Sequence, residues 1–402
     1  MLKPYTKYAL ILASISMLRM FGFFLLLPVL SYMASKLTNS TPLTIGLAMG
    51  IYGLIQAFFY FPLGILSDKI GRKPLIYFGL ICMCIGSIIA ANSANINVLI
   101  FARAIQGVGA ISSVLSAFAA DIIPEQHRTK AMMIIGIGVG VSFPLSLIIA
   151  PILYNNFEQS GVFYAIAICS ILSILPVISL PNLKPHHYLT PSNSNQLNNF
   201  IKNTLFSILK NKQIRLWLVG VIFLHAVSMM FFYIISFLLE EKGFVLSKQW
   251  IFYLPILALS FIFSAKLVRN LENKNKIFTI SNLSIKLIAI SSCGLIFSHS
   301  LPFFIFALLI LMYFIGFNML EMFQPSIISK LAEPHLKGAT MGVYYTLQSA
   351  GMFLGSISAG YASKFALNHH LSKNSMIFSL SLLFVVIWHL YSSHLNLRLR
   401  CC

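Results

Sequence analysis

Apolar runs of about twenty residues recur from one end of the chain to the other, broken by short polar turns. A helix of that length crosses a hydrocarbon layer ~30 Å thick. Lipid offers no hydrogen bonds to exposed backbone, so helices are the expected elements. The pattern predicts twelve spans, at 7–33, 43–66, 74–93, 97–121, 131–154, 161–181, 214–239, 249–268, 276–298, 301–325, 338–363 and 375–396. The break at 182–213 is longer than any other and rich in Pro, Ser and Asn. It separates an N-terminal half, 1–181, from a C-terminal half, 214–402, with six spans in each. Within this linker Phe200, Ile201, Leu205, Ile208 and Leu209 predict a short amphipathic helix lying on the membrane surface. The halves also resemble each other. "HRTKAMM" after the fourth span and "HLKGATM" after the tenth align His127 with His335, Ala131 with Ala339 and Met133 with Met341. The expected fold is therefore an all-α membrane protein of twelve transmembrane helices in two pseudo-symmetric six-helix halves, an arrangement found in transporters.

Composition agrees with that pattern. A soluble chain of 402 residues would need far more than 9% charged residues to cover its surface. The net charge of +19 raises the question of nucleic acid, but the basic residues follow topology instead. Twenty of the 28 Lys and Arg fall in one set of alternate loops and the termini, and five in the other set. This bias predicts that the first set, with both termini, is cytoplasmic. Lys3 and Lys7 ahead of an apolar run resemble a signal peptide, but the run extends to about Tyr32 and contains Arg19, which favours a first transmembrane helix. Cys82, Cys84, Cys169 and Cys293 lie in apolar runs as small hydrophobes, and Cys401 and Cys402 read as an incidental tail or a lipidation pair. His186 and His187 lack partners at metal-ligand spacing. No metal or other cofactor is expected.

The stretch "GILSDKIGRKPL" concentrates Asp68, Lys69, Arg72 and Lys73 between two apolar runs. Gly64 and Gly71 suit a close helix approach and a tight turn. Asp68 suits the positive end of a helix dipole, and the start of the eleventh span, near Gly338, is one such end. Arg72 and Arg128 suit forked bonds to Asp68 or Asp121. Together these residues predict a cytoplasmic latch. The competing reading, cytoplasmic topology plus a turn, accounts for Lys69 and Lys73 but not for an aspartate between glycines. Gly46, Gly50 and Gly53 in the second span and Gly342, Gly351 and Gly355 in the eleventh suit close packing of these two helices.

Gly64, Asp68, Lys69, Gly71, Arg72 and Lys73 resemble the signature loop of the major facilitator superfamily, with Lys69 where arginine is usual. "RAIQGVGA", with Arg103, Gln106, Gly107 and Gly109, resembles that family's fourth-span motif, and "DIIPEQHRTKA" its following loop. The fifth-span pattern of proton antiporters is kept in Gly136, Gly138 and Gly140 but departs at Ala150-Pro151 and Tyr154-Asn155. "LRMFGFFLLLPVL", "FNMLEMFQPSIISK" and "KGATMGVY" add a resemblance to YajR-type bacterial inner-membrane transporters over almost the whole chain. Some of those carry a soluble domain after the last span. This sequence ends at "LNLRLRCC", so none is expected here.

Few ionisable residues fall inside predicted spans, and five of them are singled out: Arg19, Arg103, His225, Lys286 and Glu321. A central charge costs ~2.5 to 3.5 kcal/mol on insertion scales, so each needs a partner or a wet cavity. The resemblance implies that spans one, four, seven and ten line the substrate cavity, and four of the five residues lie on them. Arg19, Arg103, His225, Asn318 and Glu321 are therefore the candidates for cavity and proton coupling. Helical spacing adds Phe23, Met229, Phe232 and Phe314 as cavity lining. Glu321 is the candidate proton carrier with His225 as helper; the alternative is a structural pair with Lys286.

The expected function is secondary active transport by alternating access, with proton-coupled export of a small amphipathic or lipophilic compound. Metabolite uptake by symport or uniport is the alternative, and a channel is the alternative of another class. No catalytic constellation and no GxxxxGK[ST] loop appears in the sequence, so neither an enzyme nor ATP drive is expected. The expected partners are a small-molecule substrate, protons and the lipid bilayer, with no nucleic acid, and the expected state is a monomer in the bacterial inner membrane.

Overall fold

The computed structural model describes residues 4–109, 111–183, 202, 205–272, 277–333 and 336–400. These are helical nearly throughout, with no strand beyond one isolated bridge between Thr38 and Asn95. In chain order the helices are α1 (Pro4–Phe24), α2 (Leu30–Ser35), α3 (Pro42–Ile70), α4 (Arg72–Ala91), α5 (Ile96–Val108), α6 (Ser112–Ile122), α7 (Glu125–Ile178), α8 (Lys212–Glu241), α9 (Gln249–Glu272), α10 (Ile277–Leu295), α11 (Phe303–Leu331), α12 (Lys337–Asn368) and α13 (Lys373–Arg400).

Among the described residues, ten helical stretches are long and apolar enough to cross a membrane. One of them runs 48 residues, from Ala131 to Ile178. It contains Glu158 at φ 52°, ψ −149°, a non-helical conformation that breaks α7 into two passes. The 32-residue α12 is not among the ten, because glycine, serine and threonine dilute its apolar character. Dividing the 48-residue stretch at Glu158 and adding α12 gives twelve long helical stretches among the described residues, in keeping with the expected number. The predicted fourth span is two helices, α5 and α6, separated at Gly109–Ile111.

The described residues cluster into two compact units, Met1–Ser40 with Ile51–Phe200, and Thr41–Gly50 with Ile201–Cys402. In the first unit, small residues let helices touch. A Cβ on Gly107 would lie 2.7 Å from the Tyr52 carbonyl oxygen, and one on Gly109 2.6 Å from that of Gly79. The Ser142 hydroxyl donates to the Met17 carbonyl at 2.9 Å, fastening α7 to α1.

In the second unit α8 is the most enclosed helix. A Cβ on Gly351 would meet the Ile222 carbonyl oxygen at 2.5 Å, and one on Gly355 would collide with the backbone of Ala226. These two glycines therefore seat α12 against α8, not against the second span as the spacing suggested. The early turns of α3, which cluster with this unit, use Gly46 and Gly50 against Ser356 and Phe353. Gly342 meets no atom within 4 Å. Of the predicted amphipathic segment, residues 205–210 are helical; Phe200 and Ile201 lie outside the described residues.

Candidate functional site

The charged turn lies in the first unit. Gly71 sits between α3 and α4 at φ 98°, ψ 158°, a region almost closed to residues that carry a Cβ. Its N–H donates to the Ser67 carbonyl at 3.1 Å. The Ser67 hydroxyl donates to the Gly64 carbonyl at 2.6 Å and accepts a short bond from Arg72. Arg72 Nε donates to Asp121 Oδ2 at 2.9 Å. One guanidinium thus ties the ends of α3, α4 and α6 together. With side-chain exposures of only 12% and 19%, the pair is better shielded from water than a surface bridge. Ser67 was not evident from the motif, because a serine on an apolar helix carries no charge signal.

The rest of the expected latch differs. The side chains of Asp68 and Arg128 lie outside the described residues. Gly64 meets no atom within 4 Å of a built Cβ, so the close helix approach expected there is not formed, and the turn belongs to Gly71 alone. A Cβ on Gly338, the second residue of α12, also meets nothing within 4 Å.

Two guanidinium groups are buried deeper in the same unit. Arg19 on α1 is 4% exposed and donates to the Ser112 hydroxyl at 2.6 Å. It also interacts electrostatically with the hydroxyls of Tyr52 and Tyr60. Arg103 on α5 is 2% exposed, donates to Gln106 Oε1 at 2.6 Å, and sits 4.6 Å from the centre of the Tyr52 ring. Gln106 in turn donates to the Ser87 hydroxyl at 2.8 Å. Phe23 stacks on Tyr52, with ring centroids 5.0 Å apart. Tyr52, invisible to a search for charges, is the residue that joins Arg19, Arg103 and Phe23.

The second unit brings His225 and Glu321 together. His225 Nδ1 is 3.0 Å from the Val221 carbonyl oxygen, one turn earlier on α8. That bond places the hydrogen of the neutral ring on Nδ1 and leaves Nε2 as an acceptor. Gln348 Nε2 on α12 lies 2.7 Å from Nε2, and Glu321 Oε2 on α11 lies 3.4 Å from it. With the ring hydrogen on Nδ1, the single Nε2 lone pair accepts from the Gln348 amide, and the Glu321 carboxylate oxygen lies beside it, placed to pair with the ring once Nε2 itself carries a proton. Glu321 Oε2 is buried without another hydrogen bond, while the side chain as a whole is 38% exposed. Lys286 is exposed on α10, and the alternative Glu321–Lys286 pair is not formed.

The remaining candidates pack elsewhere. Asn318 donates to the Ser260 hydroxyl at 3.0 Å and faces α9, not the His225–Glu321 pair. Phe314 lies edge-on to Phe231 with centroids 5.5 Å apart, and Phe232 is 6.3 Å from Phe314. Met229, Phe232 and Phe314 are 4%, 2% and 0% exposed. They form packed core in this structure, not the wall of an open chamber, because Phe231 and Tyr313 fill the space between α8 and α11 with a stacked pair 4.1 Å apart.

Apolar helices long enough to cross a bilayer, enclosing two arginines and a His–Glu contact, define a polytopic membrane protein with charge held inside its helical units. The chain belongs to the Major Facilitator Superfamily, whose family profile matches residues 12–356. It is 33% identical to the inner membrane transport protein YajR of Escherichia coli K12, over 87% of this chain and 76% of that protein. It is 28% identical to the class H tetracycline resistance protein of Pasteurella multocida, over 50% of this chain and 52% of the relative. The fold matches the crystal structure of a D-xylose–proton symporter with a TM-score of 0.77 at 14% identity, covering 97% of each chain.

Proposed function

We propose that this major facilitator protein couples proton movement to export of a small amphipathic or lipophilic compound by alternating access. The observation that carries the reading is the His225–Glu321 contact, 3.4 Å long, between two groups that can each take up a proton. A proton crossing the membrane supplies ~2.3 kcal/mol per 100 mV, enough to drive a compound against its gradient. The relative that confers tetracycline resistance supports export over uptake. In this reading Arg19 and Arg103 are the cationic part of the substrate region, and Arg72–Asp121, with Gly71, Asp68, Arg128 and Gly338, acts as a cytoplasmic gate. The excess of basic residues in one set of loops supports cytoplasmic termini.

Replacing Glu321 with Gln keeps the shape and removes the titrating group. In proteoliposomes with an imposed pH gradient and tetracycline as the first probe of an amphipathic panel, Glu321→Gln should lose accumulation while keeping substrate exchange. If Glu321→Gln still concentrates the same compound against its gradient, the proton takes another route.

A further inference from the structure

The helical turn at 205–210 ahead of α8 has two dissimilar faces. Ile208 is 2% exposed and packs into a core with Ile214, Trp217 and Leu218. Asn211 caps α8 by accepting from the backbone N–H groups of Gln213 and Ile214 at 3.0 and 3.2 Å. The turn is therefore fastened to the second unit at one face and at its end. On the other face Phe206 is 68% exposed and Leu209 41%. These two side chains, with Lys210, Lys212 and Arg215, line a cavity of about 310 Å³.

The charge of this cavity is one-signed. No acidic residue lines it, and none occupies the first turn of α8. The N-terminus of a helix already carries a partial positive charge and disfavours cations, yet three stand there. An anion relieves that accumulation. The apolar part selects among anions: Phe206 and Leu209 offer nothing to inorganic phosphate but suit a hydrocarbon chain. Lys212 is also the first residue of a 30-residue membrane span, so the cavity lies where the chain enters the bilayer.

We propose that this cavity binds an anionic phospholipid. Its acyl chain lies along Phe206 and Leu209, and its phosphate sits among Lys210, Lys212 and Arg215, with the guanidinium able to make forked bonds. Orientation of the protein in the membrane accounts for cations in this loop, and an amphipathic helix on the membrane surface for an apolar face; the grouping of Phe206 and Leu209 with three cations around one cavity is what a single lipid with an anionic head would fill. The site is independent of the transport reaction.

The test uses the purified, delipidated full chain in detergent, with lipid binding followed by native mass spectrometry. Palmitoyl-oleoyl phosphatidylglycerol should bind at least tenfold more tightly than the phosphatidylcholine of the same chains. Each cation near a membrane surface is worth roughly a fivefold change in binding. Lys210→Gln and Arg215→Gln should each show such a loss, and the variant lacking all three cations should bind the two lipids alike. Phe206→Ser should weaken both lipids and keep the preference between them. Glycerol 3-phosphate should not displace the bound lipid. Equal binding of the two lipids, a preference that survives loss of the three cations, or displacement by glycerol 3-phosphate alone overturns the assignment.

Discussion

Two glycines of one motif have opposite roles. Gly71 holds φ 98°, ψ 158°, whereas Gly64 lies inside α3 with open space where a Cβ would go. Gly71→Ala should therefore destabilise the protein by about 1–3 kcal/mol through backbone strain. Gly64→Ala should be neutral or stabilising by up to about 1 kcal/mol, the usual helix-propensity difference. Thermal unfolding of the purified variants checks both, and a Gly71→Ala protein as stable as the parent would remove the strain argument. Arg19 gives a second contrast at this scale. Its guanidinium donates to the Ser112 hydroxyl and interacts electrostatically with Tyr52 and Tyr60. An ammonium is a compact point charge and cannot reproduce a planar fork. Arg19→Lys should insert normally and lose most transport. Full transport by Arg19→Ala would show that the charge is dispensable.

At the scale of helices, the contact of α12 with α8 depends on glycines because backbone meets backbone there. The Cβ of Gly355→Ala would fall onto Ala226, which forces the helices apart. Overpacking of this kind costs about 1–3 kcal/mol, while Gly342→Ala, with no atom within 4 Å, should cost nothing. A thermal shift of equal size in both variants would contradict the assigned contact. The glycine spacing was legible in the sequence, and Gly46 and Gly50 of α3 do meet Ser356 and Phe353 of α12, but the turn of Gly351 and Gly355 toward α8 was not legible. Periodicity shows which residues share a helical face, whereas the rotation of that face toward α8 or α3 depends on how the helices cross. The break at Glu158 falls in the polar gap expected between 154 and 161. The interruption at Gly109–Ile111 was missed because nothing in that apolar run interrupts its hydropathy.

For the whole molecule, the bilayer makes the architecture readable. Lipid forces apolar stretches into helices, and the charged exceptions then stand out. Arg19, Arg103, His225 and Glu321 were found that way. Their neutral partners Tyr52, Ser112 and Gln348 carry no comparable signal, and only the folded chain shows them. The aromatic residues show a related limit: composition places Phe232 and Phe314 near the site, but it does not reveal the Phe231–Tyr313 stack that packs between α8 and α11. A carrier and a channel of the same composition also look alike in sequence, and they separate on a property of the entire protein. A carrier binds substrate on one side at a time, so each transfer requires a conformational cycle on the μs–ms scale. Unlabelled compound trapped inside proteoliposomes should then draw labelled compound inward above its external concentration, transiently and with saturation. Collapsing the pH gradient should leave that counterflow intact while abolishing net accumulation, because exchange returns the substrate without releasing the proton. Planar bilayers containing the protein should show no unitary current steps. Discrete openings, or a flux that rises linearly with concentration and shows no counterflow, would place the chain with channels in spite of its family.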